Sequence, residues 1–262
     1  MARAYKEIVF SVPLASPVET DAYHASSDGE WRLFVFTGTP SNKLIYQRFL
    51  RVAPPSLDVV VITRPGFGKG HDRAFTDFDD QVAAIKPFLP GGAFGDKKLI
   101  VMGVSYGGEL ALKAALDFPD AVKGVLTLAA LIEEPHEYAL TLEKITRDLE
   151  AGGGAKWIDA FSPNRWKKVR DEVAGRRDQI GPLLGRLNDY EGPVEVLHGD
   201  FDAIVPRSNA DRLYECLSEA SRGRLDIVPG GTHYLEGQYP RRVHQAVQRV
   251  IERAVAKERS VA

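Results

Sequence analysis

The stretch from Lys98 to Pro119, KLIVMGVSYGGELALKAALDFP, restricts the fold more than any other part of the chain. It opens on an apolar run, Leu99 to Met102, with the length of a strand buried on both faces. The run gives way to Gly103-Val104-Ser105-Tyr106-Gly107-Gly108, and then, from Glu109 to Asp117, to good helix formers. A strand that passes through so short a turn into a helix belongs to a sheet covered by helices. A side chain raised on that turn needs a strained backbone, and the residues facing strand and helix must lack a bulky Cβ. Gly103 and Gly107 meet that need. Ser105 then stands at a helix N-terminus, where free N–H groups and the helix dipole favour developing negative charge.

The rest of the chain repeats the alternation. Glu7 to Val12, Trp31 to Phe36, Leu57 to Thr63, Val122 to Leu131, Val194 to Leu197 and Leu225 to Val228 read as strands. Leu44 to Val52, Phe78 to Leu89, Ser208 to Ala220 and about Arg241 to Lys257 read as helices. This order predicts an α/β fold, a mostly parallel central sheet with helices on both faces. Between Glu133 and Gly192 the alternation stops, and the chain is polar, charged and helix-prone, with breaks at Gly152-Gly153-Gly154, Ser162-Pro163 and Gly181-Pro182. We read residues 133–192 as a helical cap inserted between the two parts of one core domain, 1–132 and 193–262, because its apolar residues need a surface to cover. The excess of Lys and Arg between Lys156 and Arg186 reads as a solvated helical face.

Composition excludes several function classes. A formal net charge of -2, with Lys and Arg scattered among acidic residues, predicts no nucleic-acid partner. The single cysteine, Cys216, excludes an internal disulfide and reads as a small buried hydrophobe on a helix. The first residues lack the continuous apolar core of a signal peptide and no apolar run approaches a membrane span, so the expectation is a cytoplasmic protein. No His, Cys and acid cluster has metal-ligand spacing, and no metal or other cofactor is expected. The loop Arg64-Pro65-Gly66-Phe67-Gly68 is rich in glycine but matches neither GxxxxGK(S/T) nor GxGxxG, which argues against a phosphate cradle.

Ser105, Asp202 and His233 fall after three predicted strands, and the strand ends of a parallel sheet share one edge. From about Trp31 to its end the chain resembles the α/β-hydrolase superfamily, whose residue order is serine, aspartate, histidine. TGTP at 37–40, TRPGFG at 63–68, GVSYGG at 103–108, HGDFDAIVP at 198–206 and GGTHYLEG at 230–237 fall where that family places its loops. The resemblance implies Ser105 as nucleophile, His233 as general base and then acid, and Asp202 as the group that orients His233. Asp200 and Glu133 compete for the acid's role, and Asp202 matches the family position. The resemblance also implies an oxyanion hole built from the backbone N–H groups of Thr39 and Tyr106. Thr37-Gly38 stands where the family commonly carries His-Gly. Phe67, with Trp157, Phe161 and Trp166 of the cap, is expected to bind substrate. The histidines at 71 and 198 are expected to make structural hydrogen bonds, and those at 24, 136 and 244 lie in polar or amphipathic stretches without a role.

These residues predict a cofactor-free serine hydrolase that cleaves an ester or related acyl bond of a small apolar substrate through an acyl-enzyme. Thioester, lactone, amide and carbon–carbon bond hydrolysis stay open, because the fold does not select among them. A ligand-binding receptor on a hydrolase scaffold is the alternative from another class, and turnover separates the two.

Overall fold

The structure, a computed structural model, describes residues 2–41, 43–68, 71–133 and 163–261. Among these, eight strands form one sheet: β1 (Lys6–Val12), β2 (Val18–Ala25), β3 (Trp31–Phe36), β4 (Leu57–Ile62), β5 (Lys98–Val104), β6 (Val122–Leu128), β7 (Val194–Gly199) and β8 (Arg222–Val228). Their order is β1-β2-β4-β3-β5-β6-β7-β8, antiparallel from β1 through β2 to β4 and parallel from there on.

Alternate side chains of the central strands feed two separate layers, as the two-residue period of a strand requires. Phe34, Phe36, Val60, Ile62 and Val101 pack on one face. They meet α2 (Phe78–Val82), α3 (Tyr106–Asp117), α5 (Arg177–Gly185) and α6 (Ser208–Cys216). Leu33, Val35, Val59, Val61, Ile100 and Met102 pack on the other face, against α1 (Gln47–Arg51), α7 (Leu235–Gln238) and α8 (Pro240–Val261). The remaining helix, α4 (Pro163–Gly175), buries Val169 and Val173 against Phe67, Leu131 and Val205 from loops that follow strands. It therefore lies over the edge of the sheet where the parallel strands end. Among the described residues, no helix is long and apolar enough to cross a membrane.

Several elements differ from the sequence-based expectation. β2 is a strand that the pattern VETDAYHA conceals, because polar residues sit at positions that tertiary partners satisfy. Thr20 Oγ1 donates to the Thr63 carbonyl at 2.6 Å, His24 Nε2 to Asp58 at 3.0 Å, and Asp21 accepts from Thr63 Oγ1 and Lys43. β6 ends at Leu128 rather than Leu131, where Ala129 turns the chain with a φ of 46°. α5 continues through Gly181-Pro182, where a break is predicted; burial of Ile180 and Leu183 outweighs the one hydrogen bond that Pro182 cannot make. Those two residues, with Leu187 and Tyr190, share the core cluster of α3, so this part of the 133–192 segment packs as a layer of the core. α6 stops at Cys216, a half-buried free thiol at the helix end rather than a buried one within it.

The other end of the sheet carries its own buried ion pair. Arg32 of β3 and Asp58 of β4 stand opposite one another in register, with Nε to Oδ1 at 2.6 Å. Burial opposes ionisation of Asp58, but His24 and Arg32 outweigh it and hold the carboxyl at about 2.

Candidate active site

Ser105 sits where β5, α3 and the end of β3 meet backbone to backbone. A Cβ on Gly103 would lie 2.0 Å from the Gly107 carbonyl oxygen, and one on Gly107 would lie 2.3 Å from that of Phe36. Only glycine fits such an approach. Ser105 itself has φ 54° and ψ −124°, a conformation that costs about 1–3 kcal/mol and persists because its surroundings over-determine it. Its N–H donates to the Leu128 carbonyl at 2.9 Å, and its carbonyl accepts from Gly108 at 2.8 Å and Leu131 at 3.1 Å. The residue is 2% exposed, and its Oγ has no hydrogen-bond partner among the described residues.

Asp202 and His233 follow β7 and β8 onto the same edge. His233 Nδ1 donates to Asp202 Oδ2 at 2.8 Å. The second carboxylate oxygen accepts from the Ile204 and Val205 N–H groups, each at 2.9 Å. Burial opposes ionisation of Asp202, yet His233 and the two N–H groups hold its carboxyl below the usual range. An ionised Asp202 fixes the Nδ1–H tautomer of a neutral His233 and leaves the lone pair on Nε2. His198 braces the loop by donating from Nε2 to the Val205 carbonyl at 2.9 Å, and burial lowers its pKa. Asp200 is exposed.

The TGTP loop runs directly beside the serine. A Cβ on Gly38 would approach Ser105 Cβ to 3.1 Å. Tyr106 opens α3, so its N–H belongs to the first turn and has no acceptor within the helix. Thr37, in place of the common histidine, ties the loop down through Ser41 Oγ at 2.6 Å and the Ile62 carbonyl at 3.2 Å. The Tyr106 ring is fully buried and packs at 5.9 Å from Phe78, while Phe67 is buried beside Leu131, Val169 and Val173. Trp157 and Phe161 lie outside the described residues, as does the side chain of Trp166.

A group of buried charges beside the loop is not foreseen by the sequence reading. Arg64, fully buried, donates from Nε to the Thr37 carbonyl at 2.7 Å and from Nη2 to that of Gly38 at 3.2 Å. It also pairs with Glu172 of α4, which accepts from Thr39 Oγ1 at 2.6 Å and Gln81 Nε2 at 2.9 Å. One turn further, Arg176 pairs with Glu109 of α3, Nε to Oε1 at 2.7 Å. The expectation that basic residues between 156 and 186 are solvated therefore holds for Lys167, Arg170, Arg177 and Arg186; it fails for Lys168, half-buried and donating to the Gly66 and His71 carbonyls, and for Arg176, which has a buried carboxylate to meet. The signal that would have found this face is the helical spacing of Val169, Glu172, Val173 and Arg176.

His71 and His244 are structural, as expected for the first: His71 Nδ1 accepts from Gly66 N–H at 2.9 Å and its Nε2 donates to the Glu19 carbonyl. His244 stacks on Phe49 at 4.0 Å and donates to the Phe49 carbonyl, with burial lowering its pKa to about 4. Glu236, three residues past His233, is fully buried with both carboxylate oxygens unpartnered among the described residues, and burial pushes its pKa up to about 7. The folded chain therefore keeps a proton that the unfolded chain releases near pH 4.5. That stabilisation is complete below pH 4.5 and is lost as pH rises through about 7. Glu236→Gln is expected to remove roughly 2–3 kcal/mol of the stability difference between pH 4.5 and pH 8. Denaturant titrations of both proteins at the two pH values test this, and parallel pH dependences would refute it.

Comparison with known proteins agrees with this architecture. A family model described as alpha/beta hydrolase fold matches residues 32–164, just over half the chain. The pimeloyl-[acyl-carrier protein] methyl ester esterase of Nitrosomonas europaea is 26% identical over 198 residues, covering 64% of this chain and 75% of the relative. The poly(3-hydroxyalkanoate) depolymerase of Ectopseudomonas oleovorans is 25% identical over 229 residues, 78% of each protein. Among solved structures, the peroxisomal alpha-beta-hydrolase Lpx1 of Saccharomyces cerevisiae superposes with a TM-score of 0.70 at 13% identity, over 98% of this chain and 90% of that one. The strand order, the strained serine between β5 and α3, and the family match over residues 32–164 place this chain in the α/β-hydrolase fold family.

Proposed function

We propose that the protein is a serine hydrolase of small carboxylic esters, working through Ser105, His233 and Asp202. The observation that carries this reading is the 2.8 Å bond from His233 to a buried, ionised Asp202, on the sheet edge where Ser105 is held at a positive φ. Ser105 Oγ attacks the acyl carbon while its proton passes to His233 Nε2. The imidazolium so formed is stabilised by Asp202, and it returns the proton to the departing alkoxide. Water, activated by the same histidine, then hydrolyses the acyl-enzyme. The tetrahedral intermediates place an oxyanion between the N–H groups of Thr39 and Tyr106.

Relatives support an oxygen ester as the bond. Those at 26% and 25% identity are a pimeloyl-[acyl-carrier protein] methyl ester esterase and a poly(3-hydroxyalkanoate) depolymerase. The segment between β6 and β7 selects the substrate, and the apolar cluster of Phe67, Leu131, Val169, Val173 and Val205, where that segment packs on the loops after β4, β6 and β7, suits a small apolar acyl or alcohol group.

The test is a panel of 4-nitrophenyl esters and alkyl methyl esters, with thioesters and lactones alongside. Turnover at about 1 s⁻¹ or faster, in the range of ordinary enzymes, is expected for an oxygen ester of short or medium chain. Tight binding of one ligand with scarcely any turnover would replace this reading with that of a receptor.

A further inference from the structure

The two oxyanion donors in the reading above belong to different elements. The Thr39 N–H comes from the loop after β3, and the Tyr106 N–H from the first turn of α3. The two elements meet backbone to backbone at Gly107, against the Phe36 and Thr37 carbonyls, and Thr39 lies two residues beyond that contact. The end of α4 and the residue that follows it, Arg176, reach both. Glu172 receives the Thr39 hydroxyl at 2.6 Å and pairs with Arg64, which holds the Thr37 and Gly38 carbonyls. Arg176, whose N–H still bonds the Glu172 carbonyl at 3.1 Å, pairs with Glu109, three residues past Tyr106. The Arg64 guanidinium closes the circuit, 4.7 Å over the Tyr106 ring.

Arg64, Glu109, Glu172 and Arg176 are each fully buried. Two buried ion pairs one turn apart are a costly way to hold a helix down, since well-packed apolar residues often serve stability as well or better. What ion pairs supply is fixed direction: Arg64 presents a planar fork, and the Glu172 carboxylate is filled by Arg64, Thr39 and Gln81. Arg64 holds the Thr37 and Gly38 carbonyls, so the backbone of the loop is tied to Glu172 of α4 through its guanidinium.

We infer that Glu172 and Arg176 are positioning residues that set the spacing of the Thr39 and Tyr106 N–H donors, with Arg64 carrying the constraint from Glu172 to the loop. This rests on the serine-hydrolase reading and deepens it. Because the donors act on charge that develops only in the transition state, loosening them lowers kcat and leaves KM nearly unchanged.

The experiment uses the full chain as wild type, Glu172→Gln, Arg64→Lys, Thr39→Val and the double variant Thr39→Val/Glu172→Gln. It reads kcat and KM on one 4-nitrophenyl ester and the inhibition constant of a matching trifluoromethyl ketone. With the ketone a bond forms from Ser105 Oγ to the carbonyl carbon, the carbonyl π bond becomes the oxyanion, and the serine proton goes to His233. Glu172→Gln and Arg64→Lys are expected to lower kcat about tenfold or more with KM within about twofold, and to raise the inhibition constant by the same factor as kcat falls. Thr39→Val, at a half-buried residue that loses only a hydroxyl, keeps the test open if a charge variant fails to fold; a loss of about threefold to tenfold in kcat is expected. The double variant is expected to be no slower than Glu172→Gln alone.

A raised KM with kcat retained, an unchanged inhibition constant, or a lowered melting temperature with unaltered kinetics overturns the inference. If wild-type Ser105 is labelled by a fluorophosphonate, such a result leaves the hydrolase reading standing. If wild type takes no label, both fall.

Discussion

Ser105→Ala is expected to reduce ester hydrolysis by about a thousandfold to a millionfold, equivalent to about 4–8 kcal/mol of transition-state stabilisation. Its fold should survive, because alanine also has a Cβ and occupies the same strained backbone, which the Leu128, Gly108 and Leu131 hydrogen bonds hold. Stability is expected to rise by about 1 kcal/mol, since the variant no longer buries an unpartnered hydroxyl. Loss of activity with a gain in stability is the signature of a residue held for chemistry. The measurement is intact-protein mass after a fluorophosphonate, with melting curves on the same samples: a single adduct on wild type, none on the variant, and a melting temperature no lower. A variant that keeps more than about one per cent of wild-type turnover would remove Ser105 from the mechanism.

The second large effect lies at the far end of the same strands. Arg32→Met strands the Asp58 carboxylate, leaving it His24 and the Ser27 N–H at 3.3 Å. Breaking a buried pair in this way costs about 3–5 kcal/mol, which for a chain of this size lowers the melting temperature by roughly 6–15 °C. Ester turnover at room temperature should not change, because Arg32 and Asp58 begin β3 and β4 whereas Ser105, Asp202 and His233 follow the ends of their strands. The pair also sets a limit in acid. Asp58 titrates at about 2 in the folded chain against 3.8 ordinarily, so its contribution is present above pH 3.8 and is lost as pH falls through about 2. Arg32→Met should flatten that loss. A double variant, Arg32→Met/Asp58→Asn, should recover part of the stability, and failure of the single variant to lose any would show that His24 alone satisfies Asp58.

Such pairs mark the boundary of what the sequence could disclose. β3, β4 and β5 were legible as strands because both of their faces are buried and all but one residue of each is apolar. Ser105, Asp202 and His233 were legible as candidates because each follows such a run in a loop with its own glycine pattern. The second strand was not legible, since Thr20, Asp21 and His24 are satisfied by partners 22 to 43 residues away. The same holds for Arg64 and Glu172, which meet across 108 residues, and for Glu109 and Arg176, which meet across 67. A charged residue in a helix reads as solvated until the fold supplies its counterion.

The sequence by itself determined the alternation of strands and helices, the glycine-bounded turn that carries Ser105, and the order of the candidate residues. These follow from local physics: period, backbone freedom and the absence of a Cβ. Only the tertiary structure decided that Asp202 rather than the exposed Asp200 meets His233, and that α4 lies over the strand ends with Glu172, and Arg176 just past its end, paired to buried charges of the core. The reason is that a hydrogen bond or ion pair between distant residues has no local signature; it exists only once the sheet has brought their loops to one edge.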